Sequence, residues 1–394
     1  MKNRHGIQLK ELLIIVILTS LVTSLTTGVI IYNNNRITKH ISGSDLSNDQ
    51  DLEEFLKVYA SLVGDYYDDI DRKKMLEAGI NAMFQYLGED YTDYLNKNES
   101  DALAEKLAGE YRGIGVQIID HNIIYNVFDE SPAKEAGLMK GDQLVLINGE
   151  NVSEKNTTEV SRLIKESTDS LQLEVLRGEE KLSFSVNVST LYVPVVQQQI
   201  VSDIEHKIGY LQITSFSNTV AAQVRKALEK LENEGIESLI IDLRGNTGGY
   251  LSQATDIANM FLENGKVIYS LVDRNDTKEY QDDTDESRNY PIVILMNDGT
   301  ASASEVLAAA LKDSYGAKLL GGVSYGKGKV QQTRTLDDGS MVKYTTARWL
   351  RPNGECIDGI GLKPDIEVEL VMDENQEKMI DTQLQEAIRI LNED

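Results

Sequence analysis

The chain has 394 residues, 41% of them hydrophobic, enough for real cores and, at about 150 residues per domain, for two or three domains. It carries 39 Lys and Arg against 64 Asp and Glu, a net charge of −25, which argues against nucleic acid and anionic lipid surfaces as partners. The single cysteine, Cys356, excludes an internal disulfide and a cysteine-built zinc site. The four histidines, His5, His40, His121 and His206, are scattered, so no metal or other cofactor is expected.

Leu12 to Ile31 carries no charge and is long enough to cross a bilayer as a helix. Lys2, Arg4 and Lys10 precede it, which puts the N-terminus in the cytoplasm and the rest of the chain outside. The expectation is a cytoplasmic tail and membrane anchor over 1–35. A cleaved signal peptide, cut near Thr27, is the rival and would release a secreted protein. Residues 36–50 are polar and predict a linker.

A helical region is expected over 51–107. Leu52, Phe55, Leu56, Tyr59 and Leu62 recur at helical spacing, and a second helix is predicted near 71–87. Tyr59, Tyr66, Tyr67, Tyr86, Tyr91 and Tyr94 fit helix packing singly and an oligomer surface as a group. Residues 108–190 predict a small β-rich domain. Its short apolar runs are broken by turn signals at Ser131-Pro132, Gly141-Asp142 and Asn148-Gly149, with helices over 132–138 and 157–166.

From 191 to 370 strands and helices alternate, the pattern of parallel βαβ units. Ile208–Ile213, Ser238–Asp242, Val267–Leu271 and Ile292–Met296 are strand-like. Val220, Val224, Leu228 and Leu231 mark a helix face, and 252–262 a second helix. A hairpin is predicted over 329–350 around Asp338-Gly339. In the tail, 371–394, Ile380, Leu384, Ile388 and Leu391 lie at helical spacing, able to dock on the body or on a second copy.

The chemistry concentrates in four segments. Asn297-Asp298-Gly299-Thr300-Ala301-Ser302-Ala303-Ser304-Glu305 lies where a strand passes into a helix, a place where helix amides stabilise developing negative charge. Its hydroxyls fit either helix caps or a nucleophile. Lys327 lies between two glycines in Tyr325-Gly326-Lys327-Gly328-Lys329-Val330-Gln331. A buried lysine can serve as a base at neutral pH. Lys329 is its rival. Only His206 falls in the α/β part, in a charged stretch, so a histidine base is disfavoured. Asp242-Leu243-Arg244-Gly245-Asn246-Thr247-Gly248-Gly249 is a glycine-rich turn after a strand. It fits a plain βα turn or half of an oxyanion hole; the Lys-Ser/Thr ending of a phosphate loop is absent. Tyr111-Arg112-Gly113-Ile114-Gly115-Val116 can offer amides to a terminal carboxylate and a sheet edge to a peptide.

Together these segments resemble the carboxy-terminal processing (tail-specific) proteases over about 50–370, in the family's order. Leu87-Gly88-Glu89-Asp90-Tyr91-Thr92-Asp93-Tyr94-Leu95 resembles the segment before the family's PDZ domain. The resemblance implies an α+β multidomain chain: membrane helix, helical segment, PDZ-like domain at 108–190, and an α/β serine-protease core of ClpP/crotonase-like type at 191–370. It implies Ser302 as nucleophile, Lys327 as general base and Gln331 holding the lysine by hydrogen bond. The amides of Ala303 and Gly248 would form the oxyanion hole. Gly113, Ile114, Gly115 and Val116 would bind polypeptide substrates by apolar C-terminal tails. The family often has serine where Thr300 stands, and Asp313 matches an aspartate of doubtful role. Homo-oligomerisation through the N- and C-terminal helices is a further possibility. A non-catalytic PDZ scaffold with a protease-like core is the alternative, disfavoured by intact Ser302, Lys327 and Gln331.

Overall fold

The structure is a computed structural model that describes residues 49–202, 206–372 and 379–393. The chain divides into two units, one ending at Met83 and one spanning Phe84–Asp394. The anchor expected over 12–31 lies outside the described residues. Among the described residues no helix is long and apolar enough to cross a membrane.

In the first unit Asp49 opens the helix Gln50–Asp65, its side chain accepting from the amides of Asp51 and Leu52. No residue of this helix is buried, although Phe55, Leu56 and Leu62 are large and apolar. The helix Arg72–Leu87 follows, where the spacing predicted it.

The second unit opens its β-rich part with Val116–Ile119, Ile123–Val127, Gln143–Ile147, Ser170–Arg177 and Glu180–Asn187, hydrogen-bonded in that order. Alternating residues such as Leu171, Leu173 and Val175 point into one core with Ile114, Ile124 and Leu144. The helix Thr157–Glu166 adds Val160 and Ile164, and a capping box between Asn156 and Glu159 fixes its start. Val116–Ile119 ends the order, so one of its edges is unpaired within the sheet.

The α/β part is a six-stranded sheet in the order Val196–Ser202, Ile208–Ile213, Ser238–Asp242, Ile292–Met296, Lys318–Gly321, Ile366–Glu367. All neighbours are parallel except the first pair. Ser238–Asp242 and Ile292–Met296 are buried along their whole length, which explains their unbroken apolar runs. Val220–Asn233, Leu251–Ala258 and Ala303–Ala310 pack into the core on one face through Val224, Ile257 and Leu307. The tail helix Thr382–Glu393 covers the other face, placing Ala387, Ile390 and Leu391 against Ile240, Val293 and Leu295. Of its two expected partners, the tail takes the body.

A second sheet joins Asp93–Leu95, Met341–Leu350, Val267–Val272 and Thr277–Gln281, with Lys329–Thr335 paired to Met341–Leu350 as the predicted hairpin. Two boundaries differ from expectation. The helix expected over 252–262 ends at Ala258, and Met260, Phe261 and Leu262 are buried in the turn that follows. Ile380 belongs to the short strand Met379–Ile380 rather than to the tail helix. Lys318–Gly321, not expected as a strand, offers just two buried apolar side chains, Leu319 and Leu320, too few to show a period.

Candidate active site

Two loops leave the carboxyl ends of adjacent parallel strands, where open α/β sheets place their sites. The first, after Asp242, holds Gly248. The second, after Met296, holds Ser302. They are locked together. Ala301 N–H donates to the Asn246 carbonyl at 3.0 Å, and Gly245 N–H to Asn297 Oδ1 at 2.9 Å. The buried hydroxyls of Thr300 and Ser304 donate to the Leu243 and Asn246 carbonyls, each at 2.9 Å. A threonine at 300 therefore does the work a serine hydroxyl would. Of the three hydroxyls in this run, Ser302's is the one that lines the open cleft.

Ser302 takes φ 59° and ψ −119°, a backbone strain of about 1–3 kcal/mol for a residue with a side chain. Such a turn lifts a nucleophile above the sheet at a helix start. A buried carboxylate holds it there. Ser302 N–H donates to Glu305 Oε2 at 2.8 Å, and Lys327 N–H to the same oxygen at 2.9 Å. Glu305 Oε1 accepts from Ser324 Oγ at 2.6 Å and from Gly326 N–H at 2.7 Å. Glu305 is fully buried. It fixes the backbone of Ser302 to the backbone of the lysine loop.

The glycines around Lys327 are required by close approach. A Cβ on Gly326 would lie 2.7 Å from Gly361 N, and one on Gly328 2.6 Å from Asp358 Cβ. Trp349 Nε1–H donates to the Lys327 carbonyl at 2.9 Å. The ammonium lies 4.6 Å from the centroid of the Tyr91 ring. Burial, and then the nearby charge of Lys343, lower the pKa of Lys327, while Glu89 and Glu305 oppose the shift. Burial and a hydrogen bond with Tyr325 push the Tyr91 phenol upward, so it stays neutral. Lys329, the rival, has an ion pair with Glu89 at 3.3 Å. Burial works to raise the pKa of Glu89, but hydrogen bonds from Thr92, Thr345 and Lys329 prevail and lower it.

Ser302, Ala303, Gly248, Lys327 and Gln331 line one cleft of about 530 Å³. Within it the expected contacts are partly engaged elsewhere. Gln331 Nε2–H donates to Thr345 Oγ1 at 3.2 Å, and among the described residues no hydrogen bond joins Lys327 Nζ to Gln331 or Ser302. Gly248 packs on Ser302: a Cβ there would meet Ser302 Cβ at 2.8 Å and Ala303 N at 3.0 Å. Its own N–H donates to Asn246 Oδ1 at 2.9 Å, so an oxyanion would compete with Asn246 for it. Asp313 forms a bidentate pair with Arg351, at 2.6 and 3.0 Å, a structural role. His206 is exposed beside Glu237.

In the β-rich part Ile114 is buried and anchors its loop, whose carbonyls accept from Ala133 and Phe128 amides. Gly115 has φ 87°, and a Cβ would strike Ser131 Cβ at 2.2 Å. The loop leads directly into the edge strand Val116–Ile119. The sequence signals named Glu305 and Tyr91 as letters of motifs and gave them no part; Asn246 likewise.

The sequence profile of peptidase family S41 matches residues 207–368, and that of the PDZ domain matches 111–188. Over 366 residues the chain is 36% identical to the carboxy-terminal processing protease CtpA of Bacillus subtilis (strain 168), covering 91% of this chain and 77% of that protein. The chain belongs to peptidase family S41, with the carboxy-terminal processing proteases. A probable CtpA-like serine protease of Staphylococcus aureus (strain COL) is 34% identical over 341 residues, 84% of this chain and 68% of that one. The solved photosystem II D1 C-terminal processing protease superposes with a TM-score of 0.51 at 26% identity, over 88% of this chain and 92% of that one. This S41 member is a serine-type endopeptidase with a PDZ domain beside its α/β core.

Proposed function

We propose that the protein cleaves polypeptides selected by their C-termini, through a Ser302–Lys327 acyl-enzyme mechanism. The observation that carries this is the pairing, in one cleft, of a strained, half-buried Ser302 with a half-buried lysine whose basicity is lowered. Neutral Lys327 takes the proton from Ser302 Oγ as that oxygen attacks the scissile carbonyl carbon. The oxyanion is held by Ala303 N–H, with Gly248 N–H shared from Asn246. The ammonium then protonates the leaving amine and the C–N bond breaks. Water attacks the acyl ester carbon as it gives a proton to Lys327; the ammonium then returns that proton to Ser302 Oγ as the C–Oγ bond breaks and the acid product leaves. To start, the lysine leaves the Tyr91 ring, and Gln331 turns from Thr345 to hold it. Mass spectrometry of products cut from an exported proteome tests this: they should vanish with Ser302→Ala, and casein-like cleavage by Ser302→Ala at the wild-type rate would refute it.

Recognition is assigned to Gly113, Ile114, Gly115 and Val116. Their amides would take a terminal carboxylate, with the substrate tail added to the open edge of Val116–Ile119. An apolar last side chain supplies affinity by burial, at roughly 25 cal/mol per Å². Free-ended substrates should outpace amidated or Asp-Asp-ended ones; equal rates would leave the PDZ domain without a role in reading tails.

The parallel sheet with a second β-layer supports a core of ClpP/crotonase-like type. The uncharged run Leu12 to Ile31 supports export with an N-terminal anchor, checked by membrane fractionation and by intact mass for cleavage near Thr27. Exposed Phe55, Leu56 and Tyr86 support self-association through the N-terminal helices, checked by sedimentation of a Phe55→Ser, Leu56→Ser variant.

A further inference from the structure

The cleft that holds Ser302 carries charge of the sign opposite to the protein as a whole. Four lysines line it, Lys106, Lys327, Lys329 and Lys343, and among the described residues no aspartate or glutamate does. The chain has 64 acidic residues and a net charge of −25. Lys329 is paired with Glu89. Lys106, which is exposed, and Lys343 have no ion pair or side-chain hydrogen bond among the described residues, although Asp93 lies opposite Lys343 on the neighbouring strand. Lys343 is half-buried on the strand Met341–Leu350, opposite Thr333, which also lines the cleft. Lys106 stands in the last turn of the helix Lys97–Ala108, next to Leu103 and Leu107, which form part of an apolar wall. Unpaired ammonium groups beside an apolar wall leave hydrogen-bonding and charge capacity that a ligand can fill.

We propose that Lys106 and Lys343 bind a carboxylate of the substrate close to the scissile bond, so that the cleft selects peptides carrying negative charge there. This rests on the proteolytic reading above and narrows its substrate class. It concerns the residues that flank the cut, whereas the PDZ domain is assigned the distal end of the tail. Two sources supply the same group: an Asp or Glu side chain, or the free α-carboxylate of a short segment released by the cut. The net charge of −25 repels anionic peptides at long range, and a local cluster of cations offsets that repulsion inside the cleft.

The test separates binding from chemistry. Short, amidated, fluorescent peptides, identical except for Gln or Glu at single positions flanking the cut, are titrated onto intact Ser302→Ala protein. A second pair, ending two residues past the cut with free or amidated termini, tests the α-carboxylate. Glu or free-carboxylate peptides should bind about fivefold tighter per ammonium engaged. The preference should shrink in high salt, fall in Lys106→Gln and Lys343→Gln, and invert in Lys343→Glu. Preference in the first pair assigns the site to side chains; preference in the second assigns it to the chain end. Equal binding within both pairs overturns the proposal, even if the wild type cuts every peptide. So does a preference that both lysine variants keep. Selective binding without any cutting by the wild type would uphold the carboxylate site and count against proteolysis.

Discussion

The two sides of the cleft differ in readiness. On the Ser302 side the loop is fixed: Thr300 and Ser304 are tied to the glycine-rich loop, and Ser302 is strained with its N–H pinned by Glu305, although the Gly248 N–H is held by Asn246. On the Lys327 side the backbone is fixed as firmly, by Glu305, Trp349 and the two glycines, but the side chains point to other partners. Lys327 faces the ring of Tyr91, and Gln331 faces Thr345. Under the proposed mechanism, the difference teaches that completing the site takes side-chain torsions rather than backbone rearrangement. Lys327 is half-buried, and its contact with the Tyr91 ring contributes about 0.5–1 kcal/mol, so substrate binding need supply little energy to release it.

Ser302→Ala removes the group that defines the fixed side. Turnover should fall about 10³-fold or more, with far-UV circular dichroism unchanged, since the hydroxyl lines open cleft rather than core. Lys327→Arg tests the other side. Arginine keeps the charge and cannot release its proton, so this variant should match Lys327→Ala in inactivity, a loss of about 10²–10⁴-fold in acylation. A Lys327→Arg enzyme with near-normal turnover would transfer the role to Lys329.

Glu305→Gln cuts the tie between the two sides. One carboxamide oxygen cannot accept four donors, and its NH₂ would face two N–H groups. Turnover on short peptides should drop about 10- to 100-fold, and chemical denaturation should show a loss of about 2 kcal/mol. An active, fully stable Glu305→Gln would mean that the two loops hold their register without it. The smallest effect is expected at Tyr91→Leu. Losing a contact of about 0.5–1 kcal/mol frees the lysine, and kcat on short peptides should rise about two- to fivefold. A drop instead would show that the ring orients the base for catalysis.

Much of the fixed side was legible in the sequence. The apolar run Ile292–Met296, the turn after it and the alanine-rich helix placed Ser302 at a strand-to-helix junction. The glycines flanking Lys327 announced close backbone approach, and the tail's spacing announced a helix. What could not be read were pairings between segments far apart in the chain. Glu89 meets Lys329 across 240 positions and Thr345 across 256. No local period encodes such a contact. The engagement of Gly248 N–H by Asn246 is only two residues long, yet it depends on how the loop folds on itself, and a Gly-Gly pair permits many such folds. Asp313 illustrates the same limit: its partner, Arg351, lies 38 positions away, just past the strand Met341–Leu350.

The central claim is that the half-buried Lys327, once freed from Tyr91, acts as the neutral base. Its basicity is lowered by burial, so the fraction of neutral Lys327 rises with pH and becomes useful below the ordinary lysine value of about 10.4. The direct measurement is the rate of acyl-enzyme formation on a short chromogenic ester, taken from pH 6 to 11 by stopped flow. The account predicts a single rise with increasing pH, its midpoint below that of a free lysine, and no rise in Lys327→Arg. A profile flat with pH, or one whose midpoint equals that of a free lysine, would contradict it.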